Sequence, residues 1–200
     1  MAEAAKQRCH WAGDDPLNVA YHDREWGMPE ISENRLFEML TLEGAQAGLS
    51  WITILRKREG YRQAFAEFDP GRVAGFGQDM VEKLVNEPAI VRHRGKIEST
   101  INNARRILAL WDQGNSLSKV SWEAVGRQPR INRWKSLSEI PASTRQSTAL
   151  SKRLKQFGFR FVGPTTCYAF MQAAGMVNDH ETSCFRHAEC RTLAIDFQWH

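Results

Sequence analysis

The sequence predicts an all-α fold, and three observations support this prediction. Apolar residues recur at helical spacing over residues 36–47, 97–111 and 149–157. No segment shows the alternation typical of a strand, and helix-starting and helix-ending residues flank the periodic stretches. With 200 residues, no internal repeat and no linker-like tract, the chain fits a single domain, residues 1–200, built as two helical lobes.

Local signals place several element boundaries. The Asp-Pro pair at residues 69–70 suits an N-cap and first helical position, and Ser121 is a candidate cap for the helix that follows it. A helix over residues 164–175 begins near a proline and ends at a glycine, as helices commonly do. Residues 115–119 and 136–147 are predicted loops.

Composition limits the function classes without selecting one. The net charge of +4 and a pI near 9.0 fit an anionic partner, but many unrelated enzymes share this balance. No apolar run approaches the roughly 18 residues that span a bilayer, and residues 1–7 lack the apolar core of a secretory signal. We therefore expect a cytoplasmic protein with no membrane partner, acting as a monomer.

A predicted helix over residues 32–48 places a carboxylate on its apolar face. At about 100° per residue, the inward stripe consists of Leu36, Leu40, Glu43 and Ala47. Burying an ionised carboxylate is costly unless it is paired, so Glu43 requires a hydrogen-bond donor, a cationic partner or a ligand. An internal ion pair with an arginine or lysine accounts for this position as well as a ligand does.

The residues after Glu43 favour a pocket. Residues 44–50 are small or polar except for one leucine, and they lead directly to the indole of Trp51. A single buried tryptophan is more typical of a core than of a ligand platform. Space, a carboxylate and an aromatic ring together predict a binding pocket.

Two cysteines and two histidines near the chain ends form a candidate metal set. Cys9 and His22 lie near the N-terminus, and the three-residue gap between His180 and Cys184 predicts that both side chains share one helical face. Two thiolates and two imidazoles complete a tetrahedral zinc site, and a site with no open position is structural. Taken alone, the second pair is more typical of a packed histidine beside an unrelated thiol than of a metal site, whereas Cys167 is predicted to be a core residue. The alternative ligands that spacing leaves open are His10, His187 and Cys190.

Residues 147–175 carry the pattern of a helix-hairpin-helix unit, with residues 158–166 as the turn. Gly163 allows close approach of a phosphate, and the free amides of the second helix, with Thr165 and Thr166, favour an anion. Such contacts bind duplex DNA without distinguishing its sequence. An ordinary helical hairpin with a solvated basic face is the alternative. Positive charge near the turn comes from Lys152, Arg153, Lys155 and Arg160.

Taken together, these segments resemble the type I 3-methyladenine DNA glycosylase family of bacteria, a branch of the helix-hairpin-helix glycosylase superfamily. The resemblance extends from about Arg8 to Cys184. The segments that carry it are Arg8-Cys9-x-Trp11, Tyr21-His22-Asp23-x-Glu25-Trp26-Gly27, Leu42-Glu43-Gly44-x-x-Ala47-Gly48-Leu49-Ser50-Trp51, His93-Arg94-Gly95-Lys96, Phe159-x-Phe161-Val162-Gly163 and Asn178-Asp179-His180.

The resemblance implies an enzyme that excises 3-methyladenine from alkylated double-stranded DNA. It implies a base pocket built from Glu43, Tyr21 and Trp51, with Trp26 in or next to the wall. The cationic base would stack on the two platform rings while Glu43 accepts hydrogen bonds from its edge. The metal ligands that it implies are Cys9, His22, His180 and Cys184, which hold structural Zn²⁺.

Departures from related patterns refine these expectations. Strand-cleaving superfamily members have a lysine where this chain has Thr165, so base excision without lyase activity is expected. Asn178 stands where many superfamily relatives carry an aspartate, and Asp179 is expected to face elsewhere without a catalytic role. Asn18 replaces an aromatic residue usual in the family, which leaves one pocket wall in doubt. Residues 185–200 have no assigned family role, and covering the zinc site is the simplest one.

Two rival functions follow from the same residues. A noncatalytic helix-hairpin-helix DNA-binding protein would keep the hairpin and the metal site, although Glu43 with its aromatic neighbours argues against it. A glycosylase with a shifted range of alkylated purines would keep the pocket, and the change at Asn18 leaves that range open.

Overall fold

The computed structural model describes residues 6–199, and most of these residues are helical. The helices are α1 (Pro16–Arg24), α2 (Glu33–Gln46), α3 (Trp51–Ala64), α4 (Pro70–Ala74), α5 (Gln78–Leu84), α6 (Arg94–Asp112), α7 (Leu117–Glu123), α8 (Arg145–Gln156), α9 (Pro164–Ala173) and α10 (Phe185–Asp196). The helices predicted from apolar periodicity correspond to α2, α6 and α8. None of the helices in residues 6–199 has both the length and the apolar character needed to cross a bilayer.

Helix caps confirm two of the predicted boundaries and correct a third. The Asp69 carboxylate accepts from the Arg72 amide at 3.1 Å and caps α4, and Gly175 follows α9 with a φ of +65°. The prediction that Ser121 caps a helix is wrong, because Ser121 lies inside α7 and is fully buried. The cap is Ser116, whose hydroxyl accepts from the Lys119 amide at 2.9 Å. The helix therefore begins inside the loop predicted for residues 115–119.

The prediction of an all-α fold needs one correction, because two short strands pair in parallel. In this ladder β1 (Arg130–Ile131) lies against β2 (Val177–Asn178). Two residues per strand are too few to produce a visible alternation in the sequence. The pairing brings the chain between α7 and α8 against the segment after α9, which positions residues 132–142 beside α9.

The core is centred on α2, which packs against α3, α6, α7 and α9. Its residues 36–45 are all buried, so other elements pack against this helix on several sides and not only along its apolar stripe. A smaller cluster contains Cys9, Tyr21, Trp26 and Cys184, and it joins the two ends of the chain. The functional residues predicted from the sequence are concentrated in and around this second cluster.

The segment after the metal set packs in two places. Helix α10 begins directly after Cys184, and its Cys190 thiol lies close to Gly27 beside the metal set. Further on, the Phe197 ring stacks on Trp122 with 4.4 Å between centroids, next to Trp199. The prediction that this segment covers the metal set therefore describes its first half, whereas its second half covers the main core.

Candidate functional site

A cleft of about 340 Å³ opens between the helices that carry the predicted base-binding residues. Helices α1, α2 and α3 form one side, and α9 with residues 137–142 forms the other. All four predicted pocket residues line it, together with Trp11 and Tyr168. Its aromatic and acidic lining consists of Trp11, Tyr21, Trp26, Glu43, Trp51 and Tyr168.

The Glu43 carboxylate is buried in this cleft without a partner. Only 7% of the residue is exposed, and no residue within 6–199 forms a hydrogen bond or an ion pair with it. Burial raises the pKa of Glu43 to about 8. A cation that enters the cleft would lower the pKa of Glu43 and stabilise its ionised form. The site therefore favours a positively charged ligand.

The predicted inward stripe of α2 ends one turn earlier than expected. Leu36, Leu40 and Glu43 are buried, but Ala47 is exposed because the helix ends at Gln46. The chain then turns at Gly48, which has a φ of +80°. This turn redirects the chain from Glu43 towards Trp51 at the start of α3.

Aromatic rings surround the carboxylate. The Tyr21 and Trp51 rings lie 5.1 Å apart between centroids with an interplanar angle of 47°, and Trp11 meets Trp26 edge-on at 4.9 Å. The indole nitrogen of Trp51 is buried and has no partner among the described residues. Electron-rich faces beside a carboxylate suit a flat cationic ligand.

The sequence-based assignment missed the wall formed by α9. Thr165, Tyr168, Ala169 and Gln172 line the cleft from one face of this helix. Their spacing of three, one and three residues is helical, so the stripe was present in the sequence. It could not be distinguished from an ordinary core face, because nothing local indicated what lay opposite α9.

Asn18, which replaces an aromatic residue usual in the family, does not line the pocket. Its amide donates to the carbonyl oxygens of Trp11 at 3.0 Å and Ala12 at 2.9 Å. Trp11 supplies the wall instead. The residue at position 18 therefore acts on the pocket by fixing the backbone that carries Trp11.

The four predicted metal ligands converge, and all four are buried. Their ligand atoms all lie within 4.8 Å of one another. Cys9 Sγ lies 3.4 Å from His180 Nδ1, and Cys184 Sγ lies 3.5 Å from His22 Nε2 and 3.7 Å from His180 Nδ1. A tetrahedral ion bound at about 2.0–2.3 Å requires donors about 3.5 Å apart, so this set fits a metal ion. All four cysteines of the chain are free thiols, and Cys167 is a core residue as predicted.

Both imidazoles are oriented by groups outside the ligand set. His22 Nδ1 lies 2.8 Å from Asp23, and His180 Nε2 lies 3.1 Å from the Trp26 carbonyl oxygen. Such outer contacts fix which ring nitrogen faces a metal. Hydrogen bonds from Cys9 and from the two imidazoles lower the pKa of Cys184, which favours a thiolate ligand.

The local geometry of the last two ligands differs from the prediction. His180 and Cys184 do not share a helical face, because residues 179–184 form an irregular turn and Cys184 is the N-cap of α10. The Cys184 amide donates to the Glu181 carbonyl oxygen at 2.8 Å. The turn folds both side chains inward, so the right residues meet through a different backbone conformation.

The metal set and the cleft share aromatic residues. Trp26 meets His180 edge-on with 4.6 Å between ring centroids, and Trp11 meets His22 at 5.3 Å. Both tryptophans also line the cleft. The metal set therefore supports one wall of the pocket from behind.

A short connection joins α8 and α9 where the sequence predicts the hairpin. Two asparagines of α6 hold it: Asn102 donates to the Gly158 carbonyl oxygen at 2.9 Å, and Asn103 donates to that of Arg160 at 2.9 Å. Gly163 is the N-cap of α9, and a Cβ added there would meet open space. Packing within the protein therefore does not require glycine at this position.

The two predicted backbone-contact threonines occupy different surroundings. Thr165 is exposed at the second position of α9 and lines the cleft, whereas Thr166 is half-buried and does not. Thr165 therefore lies where the hairpin and the pocket meet.

Fold and site together define a helical protein whose pocket suits a planar cation beside a hairpin with an open helix N-terminus. Comparison of the sequence with known protein families identifies the family to which this helical protein belongs. The methyladenine glycosylase model matches residues 11–187. The chain belongs to the methyladenine glycosylase family.

Individual relatives agree with this membership. Over 178 residues, the chain is 53% identical to DNA-3-methyladenine glycosylase 1 of Escherichia coli K12, a match that covers 89% of this chain and 95% of the relative. A crystal structure of 3-methyladenine DNA glycosylase I superposes with a TM-score of 0.88 at 55% identity, covering 90% and 98% of the two chains. A variant of 3-methyladenine DNA glycosylase I in complex with 3-methyladenine superposes with a TM-score of 0.85 at 38% identity, covering 89% and 96%.

Proposed function

We propose that this chain is a DNA glycosylase that hydrolyses the N-glycosidic bond of 3-methyladenine in alkylated double-stranded DNA. The observation that carries the proposal is the unpartnered, buried carboxylate of Glu43 in an aromatic cleft. The relatives named above act on or bind the same base, which supports the substrate assignment. A monomer is the simplest form of this enzyme, because one chain supplies every residue of the cleft.

The geometry supports a mechanism based on base recognition. A lesion base leaves the duplex at a cost of a few kcal/mol, and damaged bases leave most easily. The cationic purine stacks on the electron-rich faces of Tyr21 and Trp51, and each such contact contributes about 1 kcal/mol or more when water is excluded. The Glu43 carboxylate accepts hydrogen bonds from the base edge and balances its charge.

The leaving group needs little further activation. An N3-alkylated adenine carries positive charge before the bond breaks, so a protonating residue is unnecessary. Water then captures the sugar as positive charge develops on it. Thr165 at the cleft cannot form the covalent imine that a lysine forms, which supports base excision without strand cleavage.

A direct test compares base release by three proteins on methylated duplex DNA. Wild type is expected to release 3-methyladenine, and Glu43→Gln is expected to be about 100-fold slower. The exposed Glu59→Gln is a matched control on α3 and should retain wild-type rates. A wild-type protein that binds DNA but releases no base would favour the noncatalytic rival.

A second test addresses the absence of lyase activity. Borohydride traps an imine between a nucleophilic lysine and abasic DNA as a covalent adduct. We expect no adduct with wild type and an adduct with a strand-cleaving superfamily member run beside it. A trapped adduct would contradict the proposed role of Thr165.

The DNA-binding face is proposed to be the surface formed by residues 124–178. This segment contains nine of the 27 lysines and arginines but only one of the 23 acidic residues, Glu139. A shallow groove along the exposed face of α8 is lined by Thr148, Lys152, Lys155 and Pro164, and it ends beside the hairpin. Gly163, Thr165 and Thr166 at the start of α9 would contact the DNA backbone there.

Salt dependence tests this face. Lys152→Gln and Lys155→Gln should each lower the slope of log affinity against log salt by about one. Lys83→Gln, on α5 outside this segment, is the matched control and should leave the slope unchanged. Equal slopes for all three variants would place the DNA elsewhere.

The buried Cys9, His22, His180 and Cys184 set is proposed to hold one structural Zn²⁺. The donor set is two thiolates and two imidazoles, which leaves no open position for catalysis. Metal analysis is expected to give one zinc per chain. Because Trp26 packs on His180, chelation should lower both the melting temperature and the affinity for free 3-methyladenine.

A further inference from the structure

A second buried carboxylate lies beneath the cleft. Asp179 is 1% exposed, and each of its oxygens accepts two hydrogen bonds. Oδ1 accepts from Asn132 Nδ2 at 2.6 Å and Trp134 Nε1 at 2.8 Å. Oδ2 accepts from Tyr168 Oη at 2.5 Å and Gln172 Nε2 at 2.8 Å. Asp179 does not line the cleft, which agrees with the expectation that it faces elsewhere.

These hydrogen bonds join the two segments that form one side of the cleft, α9 and the segment that leads to residues 137–142. Tyr168 and Gln172 belong to α9 and line the cleft. Asn132 and Trp134 lie at the start of the segment that continues to the opposite lining residues 137–142. Asp179 therefore holds both walls from a single point.

The same bonds fix the orientation of the Gln172 amide. Its nitrogen donates to Asp179, so its Oε1 is the remaining polar atom of a side chain that lines the cleft. No donor among residues 6–199 bonds to this oxygen. Together with the Glu43 carboxylate, Gln172 Oε1 thus offers a bound base a hydrogen-bond acceptor, and its orientation is fixed by the protein.

We propose that Gln172 is a specificity-determining residue and that Asp179 is the positioning residue that turns its acceptor towards the base. This proposal rests on the function proposed above. Adenine presents an amino donor at its six position, whereas guanine presents a carbonyl acceptor there. Acceptors in the pocket favour 3-methyladenine over 3-methylguanine, because a carbonyl facing Oε1 would lose its hydrogen bond and meet a like dipole.

The orientation can be reversed by one substitution. In Asp179→Asn one oxygen becomes an amino group, which cannot accept. Trp134 Nε1 can only donate, so the new amino group must lie on the side of Tyr168 and Gln172. The Gln172 amide would then rotate to accept with Oε1, leaving Nε2 as its free polar atom.

The test measures release of 3-methyladenine and 3-methylguanine from one methylated duplex. Asp179→Asn is expected to lower the ratio of kcat/KM for 3-methyladenine to that for 3-methylguanine by about tenfold. Release of 3-methylguanine should be maintained or rise. Gln172→Met, which removes the acceptor, should lower 3-methyladenine release alone, and the double variant should match Gln172→Met because Asp179 acts through Gln172.

Structural damage gives a different result. If Asp179→Asn or Gln172→Met lowers release of both bases by the same factor, the proposal is wrong. Metal content and melting temperature are measured for each variant, because Asp179 adjoins His180. If Asp179→Asn does not fold, Gln172→Met alone decides, and an unchanged ratio overturns the assignment. A wild-type protein that releases neither base would instead contradict the proposed function.

Discussion

Helix α2 carries two buried glutamates five residues apart, one paired with arginines and the other without a partner. Glu38 is 4% exposed and accepts hydrogen bonds from Arg35 at 2.7 Å, Arg58 at 2.7 Å and Arg62 at 3.0 Å. Glu43 is 7% exposed and has none among the described residues. The same residue type on one helix is therefore a structural group in one place and a candidate ligand-binding group in the other.

The ion-pair network around Glu38 helps to position the residues around Glu43. Arg58 also donates to Glu25 at the end of α1, at 2.7 and 2.9 Å, so the network joins α1, α2 and α3. These three helices carry Tyr21, Glu43 and Trp51. A fully paired cluster at one end of the helices holds them rigid, which allows a carboxylate at the other end to stay available for a ligand.

The largest expected effect is a loss of stability when Glu38, rather than Glu43, is substituted. Glu38→Gln removes the buried carboxylate charge from three half-buried arginines and should lower the free energy of unfolding by about 3 kcal/mol. Activity should remain near wild type below the melting temperature, because Glu38 does not line the cleft. Urea denaturation measures the first quantity and base release the second. An equal loss of activity at a temperature where the variant is folded would break the comparison.

Glu43→Gln should change stability in the opposite direction at alkaline pH. The folded-state pKa of about 8 lies above the ordinary glutamate pKa of 4.5, so the folded chain holds this proton more tightly than the unfolded chain. Stability contributed by Glu43 is present at low pH and is lost as the pH rises from 4.5 to 8. At pH 9 we expect Glu43→Gln to be more stable than wild type. Denaturation at pH 5 and pH 9 checks this, and a variant that is less stable at pH 9 would contradict it.

The rate should depend on pH through the same group. If base recognition requires ionised Glu43, kcat/KM should rise about tenfold per pH unit and level off near pH 8. Glu43→Gln should give a flat profile at low rate, whereas Glu38→Gln should keep the wild-type shape. A flat wild-type profile from pH 6 to 8 would show that Glu43 is already ionised before the base arrives.

The smallest expected effect concerns the aromatic platform. Trp51→Phe keeps a ring but weakens the electron-rich face, so the affinity for free 3-methyladenine should fall by about fivefold, or about 1 kcal/mol. Phe197→Leu, in the aromatic stack on Trp122, is a control that removes a ring far from the cleft lining. Titration of each variant with the free base measures the difference. An equal loss of affinity in Phe197→Leu would attribute the effect of Trp51→Phe to stability rather than stacking.

Sequence patterns were sufficient where the governing interactions are local. Apolar periodicity identified α2, α6 and α8, because one buried face imposes a repeat on any amphipathic helix. Asp69 was identifiable as a cap from its own neighbours. Ser121 was misassigned as one, because Leu117 and Val120 extend the buried face of α7 upstream and the packing partner of that face is not visible in the sequence.

Distant contacts were beyond sequence reasoning. The pairing of β1 with β2 joins residues more than 40 positions apart and depends on two rungs. The roles of Trp11 and Gln172 in the cleft lining depend on which segments face them. The turn that folds His180 towards Cys184 was mistaken for a helix, because both conformations bring side chains four residues apart together.

The sequence alone determined that a carboxylate lies on the apolar face of α2, since helical periodicity fixes the direction of position 43. It also limited the possible metal ligands to a few cysteines and histidines, but spacing left His10, His187 and Cys190 open, and the structure decided which four residues converge. Only the tertiary structure decided that Glu43 is unpaired. Arg35, Arg58 and Arg62 all reach Glu38 instead, and which carboxylate an arginine reaches depends on how the helices pack.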